Sequence, residues 1–165
     1  MKSYIPLICI PMVFWLLCCS TDAINQENIQ NMDEVAKGNG LAQVIAVTTT
    51  GTENNYTFNV SIASPDTGCD QYSDWWEVID LEGNLIYRRI LAHSHVNEQP
   101  FTRSGGDVEI MAEQEVYVRA HMNTSGYGSS IFKGSVTDGF TSDTLDKEFA
   151  KDLENKEPLP TGCAF

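Results

Sequence analysis

Across residues 41–136 apolar and polar positions alternate with a period of two, the pattern of strands that bury one face. The clearest case is YTFNVSIAS, in which Tyr56, Phe58, Val60 and Ile62 fall on one side. AQVIAVTTT precedes it, and DWWEVIDL and LIYRRIL flank Glu82-Gly83-Asn84, a short hairpin connection. GDVEIM, the polar break AEQE, and then VYVRAHM and SSIFKGSV around NTSGYG complete seven expected strands. Seven short strands joined locally, with no helical period among them, predict an all-β antiparallel sandwich. In VYVRAHM the core face is Val116, Val118 and Ala120, with Met122 beside them, and Tyr117, Arg119 and His121 point the other way. Trp75 and Trp76 adjoin on one strand, so only one can face the core. The spacing Trp76-x-Val78 selects Trp76.

The ends of the chain depart from this pattern. Residues 1–19 carry one lysine, an apolar run and then small residues, too short for a bilayer span and matching a secretory signal. Residues 20–40 are polar and read as a tether, with a short helix expected near Asn28–Ala36. Residues 137–165 form a tail in which Leu145, Phe149 and Leu153 recur every four residues behind Ser142, an N-cap residue type. That spacing predicts an amphipathic helix over Asp143–Glu154, packed on the sandwich.

Two resemblances follow from these segments. Leu16-Leu17-Cys18-Cys19 resembles the bacterial lipobox, which implies lipidation of Cys19 and anchorage of an exported protein at the bacterial cell envelope. Cleavage after Ala23 would instead give a soluble secreted or periplasmic form. VYVRAHMNTSGYGSS and WEVIDLEGNLIYRRIL resemble the last hairpin and the third strand region of fibronectin type III and related immunoglobulin-like domains. The larger block from SPDTGCDQYSDWWEV to FTRSGG is similar to one in uncharacterised bacterial exported proteins, and no activity comes with that likeness.

Cysteine counting fits export. Cys9, Cys18 and Cys19 lie in the leader, which leaves Cys69 and Cys163, most simply a disulfide that pins the tail to the domain. The alternative is Cys69 as a reactive thiol or metal ligand. The net charge is −13, and loss of Lys2 with the leader makes it −14, so nucleic acid is not an expected partner.

Candidate chemistry is sparse. The three histidines are His93, His95 and His121. The immunoglobulin-like order places the strands ending near His93 and His121 on either side of DWWEVIDL, finishing at one edge, with Asp70 and Asp74 entering there. Three imidazoles suit zinc or copper and leave a position open for water. Their arrangement resembles α-type carbonic anhydrases in ligand spacing alone. All four arginines, Arg88, Arg89, Arg103 and Arg119, lie in the centre of the chain. Arg89 and Arg119 near the histidines would make a site for a small anionic ligand, unless these arginines pair with carboxylates such as Glu77, Glu98 and Glu109. An outward Trp75 near Tyr72 would offer a stacking face to a glycan, unless the tail covers it. No phosphate loop and no Ser–His–Asp or Cys–His order is present, so a binding module for a protein, glycan or anion is the leading expectation and a zinc or copper protein the alternative.

Overall fold

The structure, a computed structural model, describes residues 40–164; the expected leader, Cys19 and the expected tether up to residue 39 lie outside the described residues. Nine strands follow in order: β1 (Gln43–Thr52), β2 (Asn55–Ala63), β3 (Ser73–Ile79), β4 (Leu85–Ile90), β5 (Phe101–Val108), β6 (Val116–Met122), β7 (Gly126–Tyr127), β8 (Ser130–Ser135) and β9 (Gly139–Thr144). They form two antiparallel sheets, β1-β2-β5 and β4-β3-β6-β8-β9, with β7 paired to β6. The sandwich predicted from the alternation is therefore present. Phe58, Val60 and Ile62 of one sheet meet Trp76, Val78, Val118 and Ala120 of the other in a single buried core. β4 and β6 flank β3, as the immunoglobulin-like resemblance implies, and the fourth strand joins the third instead of the first sheet as in constant-type domains.

Two strands differ from their expected positions. β5 runs over FTRSGGDV and shares only residues 106–108 with the expected GDVEIM. Its polar, glycine-containing sequence hides a close approach between the sheets. A Cβ at Gly105 would lie 2.6 Å from Tyr87 Oη and 2.9 Å from Trp76 Cζ2, so only a glycine backbone passes against that aromatic pair. β9 occupies the start of the segment expected to be helical. It is mostly exposed and is held by its backbone ladder to β8 and by Phe140, whose ring meets Phe58 at 5.4 Å.

The tail helix is correspondingly shorter. After β9 a turn at Asp146 leads to a single 3₁₀ helix, Lys151–Asn155, and Ala150 before it adopts the left-handed conformation at φ 48°. Leu153 is nonetheless buried, and Leu145, Phe149 and Ala150 pack with it against Trp75, Ile79 and Tyr127 on the outer face of the larger sheet. Cys69 and Cys163 are disulfide-bonded with Cα atoms 5.6 Å apart, and Ala164 N–H donates to Ala92 O at 2.6 Å. The tail is thus a strap across the sheet, fastened at its end.

Candidate functional site

The outer face of the larger sheet is where the chain's charged and aromatic side chains converge. Register decides this. Glu77 of β3 lies opposite Arg88 of β4 on one side and Arg119 of β6 on the other, so the three side chains stand in a row on one face. Arg88 donates to Glu77 Oε2 through Nε at 2.8 Å and Nη2 at 2.6 Å, and Arg119 Nε donates to Oε1 at 2.8 Å. All three are buried. One carboxylate between two guanidiniums leaves spare N–H donors, and the strap takes them up. Arg119 donates to the carbonyls of Phe149 and Ala150 at 2.6 and 3.1 Å. Arg88 donates to those of Leu153, Lys156 and Pro158 at 2.7, 2.6 and 3.1 Å. Arg119 also lies 3.4 Å over the Tyr127 ring, and Arg88 4.4 Å over that of Trp75. Burial, and then the neighbouring Glu77 charge, push the Tyr127 phenol well above its ordinary pKa.

This geometry closes two of the expected ligand positions. Trp75 is 3% exposed beneath the strap, so it presents no face to a sugar. Arg119 is committed to Glu77 and the tail, while Arg89 lies opposite Trp76 and donates from the surface to Ser104 O at 3.1 Å. Arg89 and Arg119 therefore do not assemble an anion site; Arg88 is the partner that register brings to Arg119.

The histidines are also separated. β4 ends at Ile90, before His93 and His95, which lie in the following loop with ring centroids 4.5 Å apart. His93 is exposed. His95 is buried, stacked on Phe101 at 3.8 Å, with Nδ1 3.8 Å from Asp66 Oδ2 and neither ring nitrogen hydrogen-bonded. His121 stands on the outer face opposite Trp75, and its ring stacks on that indole at 3.6 Å. The expectation of three imidazoles around one ion is not met, because the loop leaves the β4 line before His93. Among the described residues no group of three or more His, Cys, Asp or Glu is placed to hold a metal.

Two carboxylates organise these histidines. Asp74 Oδ1 accepts from His121 Nδ1 at 2.7 Å, fixing the ring from β3, whereas Asp70 stays exposed. Asp66 accepts from Ser64 Oγ (2.7 Å), Ser73 N (2.9 Å) and His95 N (2.8 Å), tying three segments together. Burial alone would raise its pKa. The hydrogen bonds from His95, Ser64 and Ser73 outweigh that and hold it below the ordinary carboxylate value. Asp66 was not among the expected site residues; its signal was the Ser64-Pro65-Asp66 turn chemistry.

A cavity of about 530 Å³ opens between sheet and strap, walled by Tyr72, Asp74, Trp75 and His121 on one side and Glu154 and Pro160 on the other. Its size falls in the range of small-ligand sites. A carboxylate can only accept, so His121 must donate from Nδ1 to Asp74, which leaves the lone pair of Nε2 on the side of Glu154.

An 84-residue stretch of the chain is 38% identical to a Halomicrobium mukohataei protein named "Putative lipoprotein", covering 51% of this chain and 41% of that protein. The chain thus spans about two-fifths of the length of that curated relative. No protein-family model matches the chain, and no solved structure matches it.

Proposed function

We propose that the protein is an envelope lipoprotein, anchored through Cys19, whose sandwich domain is a non-catalytic binding module displayed outside the membrane. The observation that carries this is the combination of leader and cysteines. An apolar leader ends in Cys18-Cys19, and the two cysteines of the domain are joined in a disulfide, as suits an oxidising compartment. The likeness to a named lipoprotein supports the same reading. Within the domain, the cavity between sheet and strap is the binding surface we favour, since Asp74, His121 and Glu154 converge on its walls. Fractionation tests the anchor. The parent chain is expected in the membrane fraction carrying a lipid mass, and Cys19→Ser in the soluble fraction. A parent chain that is itself soluble, with its N-terminus after Ala23, would overturn the reading.

A further inference from the structure

His121 Nε2 has no hydrogen-bond partner among the described residues. The residue is 6% exposed, held at Nδ1 by Asp74 and stacked on Trp75, so the ring cannot turn to find one. The nearest group is Glu154 Oε1 at 3.6 Å, beyond hydrogen-bond reach. Two lone-pair groups face each other across the open cavity, an arrangement that a cation between them would satisfy. With zinc–nitrogen and zinc–oxygen bonds of roughly 2.0–2.2 Å, a 3.6 Å separation corresponds to a ligand–metal–ligand angle of about 120°, close to tetrahedral or trigonal geometry.

The surroundings favour an ion. A metal-bound histidine usually donates its second N–H to a carboxylate, the role Asp74 fills. Gly126 makes room for the other ligand: a Cβ there would lie 2.8 Å from Glu154 Oε1. The cavity opens on both groups, and Thr124 and Asn155 in its wall bring further oxygens. We propose that His121 and Glu154 bind one divalent ion of the zinc–copper class, with water completing its shell, and that the ion staples the strap to the sheet. Imidazole nitrogen with carboxylate oxygen is a donor set that suits these ions. The site is independent of how the chain is anchored and does not use His93 or His95.

The test is titration of zinc and copper into the untagged full chain by calorimetry, with melting temperature and the visible spectrum of the cobalt-substituted form as second readouts. The expected result is one ion per chain, a raised melting temperature, and binding weakened at least tenfold in Glu154→Gln, a change of about 1.4 kcal/mol or more. Glu154 is partly exposed and makes no buried hydrogen bond, so this variant retains the fold, which circular dichroism checks. His93→Ala is expected to bind as the parent does. No binding in the parent with excess metal, unchanged affinity in Glu154→Gln, or loss of binding in His93→Ala would each overturn the proposal.

Discussion

Replacement of Glu77 by alanine removes the one negative charge between two buried arginines. Side-chain exposure is 0% for Glu77, 0% for Arg88 and 1% for Arg119. Both nitrogen pairs close on the carboxylate: Arg88 on Oε2 at 2.8 and 2.6 Å, and Arg119 on Oε1 at 2.8 Å through both Nε and Nη2. Breaking a buried ion set by deleting one partner costs about 3–5 kcal/mol, because the remaining charge stays desolvated. Here two like charges remain, which adds to the cost, and five strap carbonyls still solvate them, which reduces it. We therefore expect a loss of about 3–5 kcal/mol for Glu77→Ala. Glu77→Gln, which keeps one acceptor oxygen, should fall below that, and the exposed control Arg89→Ala should cost about 1 kcal/mol or less. The assay is urea denaturation with the disulfide intact, read as a shift in midpoint at unchanged slope. Trypsin cleavage at Lys147, Lys151 and Lys156 reports the strap directly, and it should accelerate in Glu77→Ala well before global unfolding. A loss no larger than that of Arg89→Ala, with unchanged cleavage, would mean that water reaches these arginines and that the buried-triad reasoning is wrong.

Two further outcomes follow. Cys163→Ser opens a link between residues 94 apart and is expected to cost about 4 kcal/mol in the chain-entropy view, measured by denaturation of parent and variant. A loss under about 1 kcal/mol would show that Arg88 and Arg119 hold the strap unaided. Asp66 has a depressed pKa in the folded state, so the stability it contributes is fully present above its unfolded value of about 3.9 and is lost as pH falls through the lower folded value. Asp66→Asn should therefore be less stable at neutral pH and show a shallower acid dependence. Parallel curves for parent and variant in acid would refute the assignment.

The core was legible because burial there obeys side-chain parity. Tyr56, Phe58, Val60 and Ile62 alternate in sequence and are all buried, and Trp76, Val78, Val118 and Ala120 answer them from the other sheet. Parity fails where the backbone itself makes the contact. β5 passes Tyr87 and Trp76 with a glycine, so its register carries little apolar signal, and β9 is mostly exposed, held by its ladder and by Phe140 against the core. The helix expected over Asp143–Glu154 is interrupted twice within its span. β9 takes its first residues into the ladder with β8, and Ala150 turns left-handed at φ 48°, so only the 3₁₀ turn Lys151–Asn155 forms. The four-residue spacing of Leu145, Phe149 and Leu153 records which side chains face the sheet, and turns satisfy it as well as a helix does.

The same logic explains why the site was only half readable. Glu77 in DWWEVIDL and Arg119 in VYVRAHM each sit mid-strand between apolar neighbours, and their opposite signs hinted at a pair across the sheet. The choice between Arg88 and Arg89 as the third member depends on the register of β4 against β3, which no local pattern encodes. The histidines show the converse error. His93 and His95 stand close together in sequence and remain a loop pair. His121, the one histidine of VYVRAHM, has carboxylates on both sides of its ring, one from β3 and one from the strap. Adjacency in sequence was the weaker guide, because the group that completes His121 arrives from the far end of the chain. Its position is set by Arg88 and Arg119 gripping backbone oxygens, and a carbonyl has the same chemistry in every residue. A ligand supplied by so anonymous a contact leaves no motif, and only the folded strap brings Glu154 to the sheet.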